Sequence, residues 1–453
     1  MIQALDLPVL ERRIRARMAT MVQQLQRELQ RETHSDEAAL MGRRITSVLK
    51  LLDDLSETDN AARLLRVRLA SRISELIEQE SPRIPDVRAA TDFFASQTGV
   101  LFHARRRAIK SIVPRGLGEI VTQASLHDIR PHMRHVVLQG QTHHGPIHAN
   151  AIIAAPAAFR MRCVDTKLTE DFGRFVRAHD AVAGISGGYF LNAEADIQPP
   201  SQRHDPVGLL LTDGKVLSPP VFSRAALIQQ TDGRIGIRVI GMANVLHDDG
   251  WAYKRTTNRS QAEWVTGPAI AVVGDRVVGH AGPDEQLRVP VNGFCMPFDT
   301  DQAIPSRMSY RIPGIDNAIG AGPILVKNGA VTLDLQAEQF SGSAPPRSAT
   351  GQTGERDLLP RMAAGITAKG ELVLLSVDGR NFQRSLGLTL ADTAKMMVAL
   401  GCQTAMNLDG GASKRMAIDG WVVDLPSTEI VDVGTANVGR HQPVHTAVLL
   451  FEK

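Results

Sequence analysis

From residue 131 to the C-terminus, short apolar and β-branched runs alternate with Gly, Asn and Asp, and this rhythm restricts the chain to a β-rich fold. The runs are HVVLQG, AIIAA, VGLLLTDGKV, GRIGIRVIG, AIAVVGDRVVG, GPILVKNGAVTL and ELVLLSVDG. Each apolar stretch has the length of a strand and is too short to make an amphipathic helix. Asp213-Gly214, Asp232-Gly233 and Asn328-Gly329 sit between such stretches, where hairpin turns need backbone that tolerates positive φ. One helix is expected late in the chain. Thr389 caps it, Leu390, Ala394, Met397, Val398 and Leu400 line its buried side, and Gly401 stops it. The last strand is expected in HTAVLLFE, so residues 131–453 read as a mostly β, α+β domain.

The preceding part has a different period. Leu10, Ile14, Met18, Met21, Leu25 and Leu29 recur at three- and four-residue steps, as do Leu65, Leu69, Ile73 and Leu76. Ser35 and the Thr58-Asp59-Asn60 cluster supply helix starts. The spacing predicts an α-helical hairpin or small bundle over 1–115, followed by a linker at 116–130. The helices offer a homo-oligomer contact. The basic run at Arg105, Arg106, Arg107 and Lys110 reads as a solvated helix face.

Composition excludes several classes. A chain of 453 residues, 43% apolar and 22% charged, has room for a large core. A net charge of +3 with 4% aromatics gives no footprint for nucleic acid. No apolar run is long enough for a membrane span. Cys163, Cys295 and Cys402 are far apart with no CxxC pair, which is neither a disulfide framework nor a zinc site. The N-terminus lacks a secretory signal pattern, so the default expectation is cytoplasmic.

The densest site signal is MNLDGGASKRM. It brings Asn407, Asp409, Gly410, Gly411 and Ser413 into one turn, joining a carboxamide, a carboxylate, open peptide groups and a hydroxyl. LPRMAAGITAKGELVLLSVDGR places Arg361 at the start of one strand and Asp378 and Arg380 at the end of the next. AGISGGYFLN adds Gly187 and Gly188 beside Tyr189, Phe190 and Asn192. Taken alone, each segment is compatible with an ordinary turn. His143, His144 and His148 lack accompanying Cys or Glu, and no metal site is assigned to them. The oxygen-rich NLDGG loop could take a structural divalent cation, and no other cofactor is expected. Ser413 has no evident His/Asp relay. Trp251, Tyr253 and Trp264 read as core or hairpin pairs rather than a sugar-stacking wall.

In order, ISGGYF, PRMAAGI, VDGR, LGLTLADTAKMMVALG and NLDGGAS resemble the phosphodiester glycosidase family over residues 131–453. Ser186, Met362, Ala412 and Lys414 depart from its pattern. Family members often act outside the cytosol. The resemblance implies hydrolysis of a sugar C1–O bond in a sugar-1-phosphodiester, carried by a glycan or glycoconjugate. For that reaction the catalytic candidates are Asp409, Asp378 and Arg361, with Asp409 or Asp378 as base or nucleophile and Arg361 clamping phosphate, and substrate contacts are expected from Asn407, Gly410, Gly411, Ser413, Arg380, Gly188, Tyr189 and Asn192. The expected partner is a phosphoglycan or sugar phosphate. Two other readings use the same residues: a non-catalytic phosphosugar-binding protein, and an oligomeric adaptor that carries the domain as a passenger.

Overall fold

The computed structural model describes residues 121–142, 145–169, 171–191, 205–299, 301, 303–340, 358–380, 385–425 and 443–453. The expected helical module at 1–115 lies outside them, as do Asn192, His143 and His144. Within them the fold is mostly β with two short α-helices, Phe172–Ala178 (α1) and Leu390–Ala399 (α2). The strand Val121–Arg130 begins inside the stretch read as a linker. Its polar Gln123, Ser125, His127 and Asp128 interrupt the apolar pattern that marks the other strands. It is held by antiparallel pairing to Met133–Thr142.

Among the described residues the largest sheet has eight strands. Their spatial order is Val121–Arg130, Met133–Thr142, Gly145–Ala154, Leu372–Val377, Arg361–Thr367, Cys402–Leu408, Ile324–Lys327 and Ala330–Val331. Period-two alternation sends its side chains into two cores. Met362, Ala364, Leu374, Met406 and Leu408 face one core, while Ala363, Val373, Leu375 and Ala405 face the other with α2. The first core is closed by a five-stranded sheet ordered Trp421–Val422, Met416–Ile418, Ala183–Ser186, Val444–Glu452 and Phe159–Thr169. Val448 and Leu450 of that sheet point inward. Ala447, Leu449 and Phe451 pack on the other side with Phe172 and Val176 of α1. The site region is thus four layers, with a helix outside each of two stacked sheets.

A second five-stranded sheet, containing Arg224–Gln230 and Ile315–Gly320, joins the central core. Between its strands Ile235–Ile240 and Ile315–Gly320 the chain builds a smaller four-stranded sheet and the ribbon Trp264–Thr266 with Gln286–Arg288. Trp264 pairs across that ribbon with Arg288, whereas Trp251 stacks on His247 and lies beside Tyr253. The turns at Asp213-Gly214 and Asn328-Gly329 have positive φ at both residues. At Asp232-Gly233 only the glycine does. The three cysteines are free and buried. No helix among the described residues is long and apolar enough to cross a membrane.

Helix α2 begins as its sequence requires. The Thr389 side chain accepts from the Asp392 amide, and Gly401 with φ 88° follows the last turn. The helix packs against the sheet over Gly365. A Cβ at that position would lie 2.6 Å from Cys402 Sγ and 2.7 Å from Met397 Cε. Gly365→Val is therefore expected to overpack this contact and destabilise the fold by about 1–3 kcal/mol, measured by urea unfolding. Met397→Ala, which empties the same contact, is expected to cost about 2–5 kcal/mol.

Candidate active site

Antiparallel register gathers the charged residues at one end of the large sheet. Arg361 pairs with Val377, so Asp378 follows directly beyond the neighbouring strand. Met362 pairs with Leu408, which places Asp409 just past the end of the third strand. Val377 also pairs with Ala149, bringing His148 to the same end. The second sheet meets this edge through Gly187, whose carbonyl accepts from the Asp409 amide at 2.9 Å. Gly188 is held by its amide donating to Thr446 Oγ1 at 2.9 Å.

Asp409 is 5% exposed. Burial raises its carboxyl from 3.8 to about 7, against the opposing hydrogen bonds from the Ser413 side chain and the Gly410 amide. The two glycines that follow serve close packing. A Cβ on Gly410 would stand 2.4 Å from the Pro360 carbonyl oxygen, and the Gly411 amide donates to that same carbonyl at 2.9 Å. Gly411 has φ 60°, and the space where its side chain would be is bordered by Arg380 Nη2 at 3.4 Å. A short 3-10 turn over Gly411–Ser413 then directs the chain into the buried Lys414 and Arg415.

Asp378 occupies a different environment. Its side chain is fully buried. Oδ1 accepts from Lys414 Nζ at 2.9 Å and from the Leu425 amide at 2.9 Å. His148 Nδ1 lies 2.9 Å from Oδ2. Lys414, also fully buried, donates to Asp424 Oδ2 at 2.8 Å and to the Leu425 carbonyl at 3.0 Å. Ser376 and the Met416 amide donate to the two oxygens of Asp424. One ammonium thus bridges two buried carboxylates, each of which also accepts from a backbone amide.

Two arginines border the same end. Arg361 is buried and donates through Nε to the Leu388 carbonyl at 2.8 Å. Arg380 is half-buried, and desolvation lowers its pKa. Tyr189 donates to the Gly322 carbonyl at 2.7 Å and accepts from Asn407 Nδ2 at 2.8 Å. Burial and the Asp409 charge raise the Tyr189 phenol above its usual range, while Arg224 and Arg361 pull it down. The phenol is therefore a neutral donor that belongs electrostatically to the Asp409 site. The buried Asn407 Oδ1 has no partner among the described residues.

Sequence reasoning located Asp409, Asn407, Gly410, Gly411, Ser413, Tyr189, Gly188, Arg361, Arg380 and Asp378, and the fold brings the strands and turns that carry them to one sheet end. It gave no role to Asp424 or Ser376, weighed His148 only as a metal ligand, and noted Lys414 only as a departure. An isolated Lys directly after the Gly411–Ser413 turn carries no signal until its burial is known. Among the described residues no cluster of His, Cys, Asp or Glu could hold a metal ion.

Comparison with known proteins bears on residues 290–451, which match the family model described as phosphodiester glycosidase. N-acetylglucosamine-1-phosphodiester alpha-N-acetylglucosaminidase of Bos taurus is 31% identical over 113 residues, 24% of this chain and 20% of that protein. The SPbeta prophage-derived uncharacterized protein YomE of Bacillus subtilis is 43% identical over 61 residues, 14% of this chain and 9% of YomE. The matched segments thus span a fifth or less of these relatives. Similar solved structures include a hypothetical protein from Synechocystis, with TM-score 0.47 and 16% identity, covering 73% of this chain and 64% of that one. The zebrafish N-acetylglucosamine-1-phosphodiester alpha-N-acetylglucosaminidase catalytic domain, auto-inhibited by its pro-peptide, has TM-score 0.40 and 13% identity, covering 74% of this chain and 89% of that one. The C-terminal part of this chain, residues 290–451, is a phosphodiester glycosidase family domain.

Proposed function

We propose that this chain hydrolyses the C1–O bond of a sugar-1-phosphodiester, with Asp409 as general base and Arg361 and Arg380 binding the phosphate. The observation that carries this reading is the buried Asp409 carboxyl, raised to about 7, on a turn whose Gly411 is bordered by the Arg380 guanidinium. The leaving group is a phosphate monoester with a second pKa of about 6, so it departs without full protonation. The C1–O bond breaks with its electron pair going to the phosphate oxygen, and water adds at C1 while Asp409 takes its proton. Positive charge then grows on the sugar and negative charge on phosphate, which suits carboxylates on one side and guanidinium on the other.

Asp409 suits the base role better than Asp378. A group that titrates near the working pH exchanges protons efficiently. The Asp378 oxygens are already engaged by Lys414, the Leu425 amide and His148. Asp378 then acts in this reading as a fixed negative charge near the developing oxocarbenium ion. Tyr189, Asn407, Ser413 and Gly188 shape the sugar side in this reading.

The assignment is tested by turnover of synthetic sugar-1-phosphodiesters with identification of both products. Asp409→Asn should lower kcat by at least about 100-fold while the phosphosugar still binds. Wild-type kcat in that variant would exclude Asp409 as the base. The wild-type kcat/KM should rise with pH to a plateau, with its midpoint at about 7. Arg380→Met should lower kcat/KM by about 10²- to 10³-fold, because a charge-assisted contact to the leaving phosphate is lost.

Stability provides an independent check on the same carboxyl. Its folded value lies above its unfolded one, so protonated Asp409 favours the fold. That contribution is complete below 3.8 and is lost as pH rises through about 7. Asp409→Asn should therefore melt about 2–4 °C or more above wild type at alkaline pH and show little difference in acid, as read by calorimetry across that window.

A further inference from the structure

The bridging ammonium of Lys414 has no part in the proton transfer, yet it sits where two segments of the site meet. It follows the Gly411–Ser413 turn that ends the Asp409 loop, and it contacts Asp378 at the end of a different strand. It also contacts Ser376 Oγ on that strand at 3.4 Å, and Asp424 and the Leu425 carbonyl in the segment after Trp421–Val422. We propose that Lys414 is a positioning residue that locks the Asp378 carboxylate to the Asp409 loop and keeps it ionised. This inference rests on the proposed hydrolysis for its kinetic consequence, and on geometry alone for the contact.

The alternative is a plain structural ion pair, in which Lys414 neutralises Asp424 and nothing more. Physical cost argues for a larger role. Burying an ammonium between two carboxylates costs several kcal/mol per ion in desolvation, and packed apolar side chains would often hold the same space as well or better. A fully buried Lys with Nζ donors to Asp378, Asp424 and the Leu425 carbonyl instead fixes direction, because each bond restricts where the Asp378 oxygen can point. Among the described residues, the groups in contact with Asp378 include the Lys414 ammonium, the His148 imidazole and the Leu425 amide, with the Asp424 carboxylate across the ammonium. The ammonium places a fixed positive charge in direct contact with that carboxylate. Without it, a closed carboxylate is pushed toward its neutral form and loses its use as a negative charge beside the reacting sugar.

The test uses the full chain with Lys414→Met/Asp424→Asn, which removes the ammonium together with the carboxylate it would otherwise strand, and Asp424→Asn alone. Both are checked for folding by thermal melts. Kinetics on a sugar-1-phosphodiester should show the double variant losing about 30-fold or more in kcat with KM within about 3-fold, whereas Asp424→Asn alone loses at most about 5-fold. Selective 13C labelling of Asp carboxyls, with Asp378 assigned by Asp378→Asn, supplies a readout that needs no substrate. Its titration midpoint should rise by about one unit or more in the double variant and not in Asp424→Asn. A purely structural role predicts that kcat follows the melting temperature and that the Asp378 midpoint stays in place. Either result overturns the proposal. If the wild-type chain turns over no sugar-1-phosphodiester, the proposed hydrolysis fails, and the carboxyl titration still decides the role of Lys414.

Discussion

Three adjacent strands held in one antiparallel register are the constraint on which the rest of this site depends. Because Val377 pairs with Arg361 and Leu408 pairs with Met362, the residues just past those pairs emerge at a common edge. A one-residue slip would exchange the two faces of a strand and drive Met362 or Met406 out of its core. The cores are therefore what hold the charges in place. The three strands that carry the site are apolar on both faces over most of their length, and their charged residues Arg361, Asp378 and Asp409 lie at or just past their ends.

Those polar groups are buried in two unlike ways. Asp378 is surrounded by donors, including an ammonium and a backbone amide, and its charge is compensated within the fold. Asp409 has lighter support from Ser413 and Gly410, and burial dominates, so its proton affinity is raised. Two carboxylates at one sheet end are thereby given unlike proton affinities and partners by their surroundings. The glycines between Asp409 and Ser413 make this possible, since side chains there would meet the Pro360 carbonyl and the Arg380 guanidinium.

Much of the strand pattern was legible because each half-buried or fully buried strand must carry its own apolar run. Helix α2 was legible from Thr389 to Gly401 because capping is a local interaction. Val121–Arg130 was not, because its strand character comes from antiparallel backbone pairing with Met133–Thr142 rather than from an apolar run of its own. The candidate residues in NLDGGAS were visible as a cluster of chemistry within a few positions. The Lys414–Asp378–Asp424 bridge was invisible, since it joins residues on separate strands and turns, and a lysine in a sequence reads by default as solvent-exposed.

The central claim is that sugar and phosphate are bound across the Asp409 edge, with phosphate toward the arginines. A crystal structure with a non-hydrolysable sugar-1-phosphonate ester tests it most directly. Phosphonate oxygens are expected within hydrogen-bonding distance of Arg361 or Arg380, with the anomeric carbon on the Asp409 side. A ligand seated instead on the smaller four-stranded sheet, with the Asp409 edge closed by its own side chains, would contradict it.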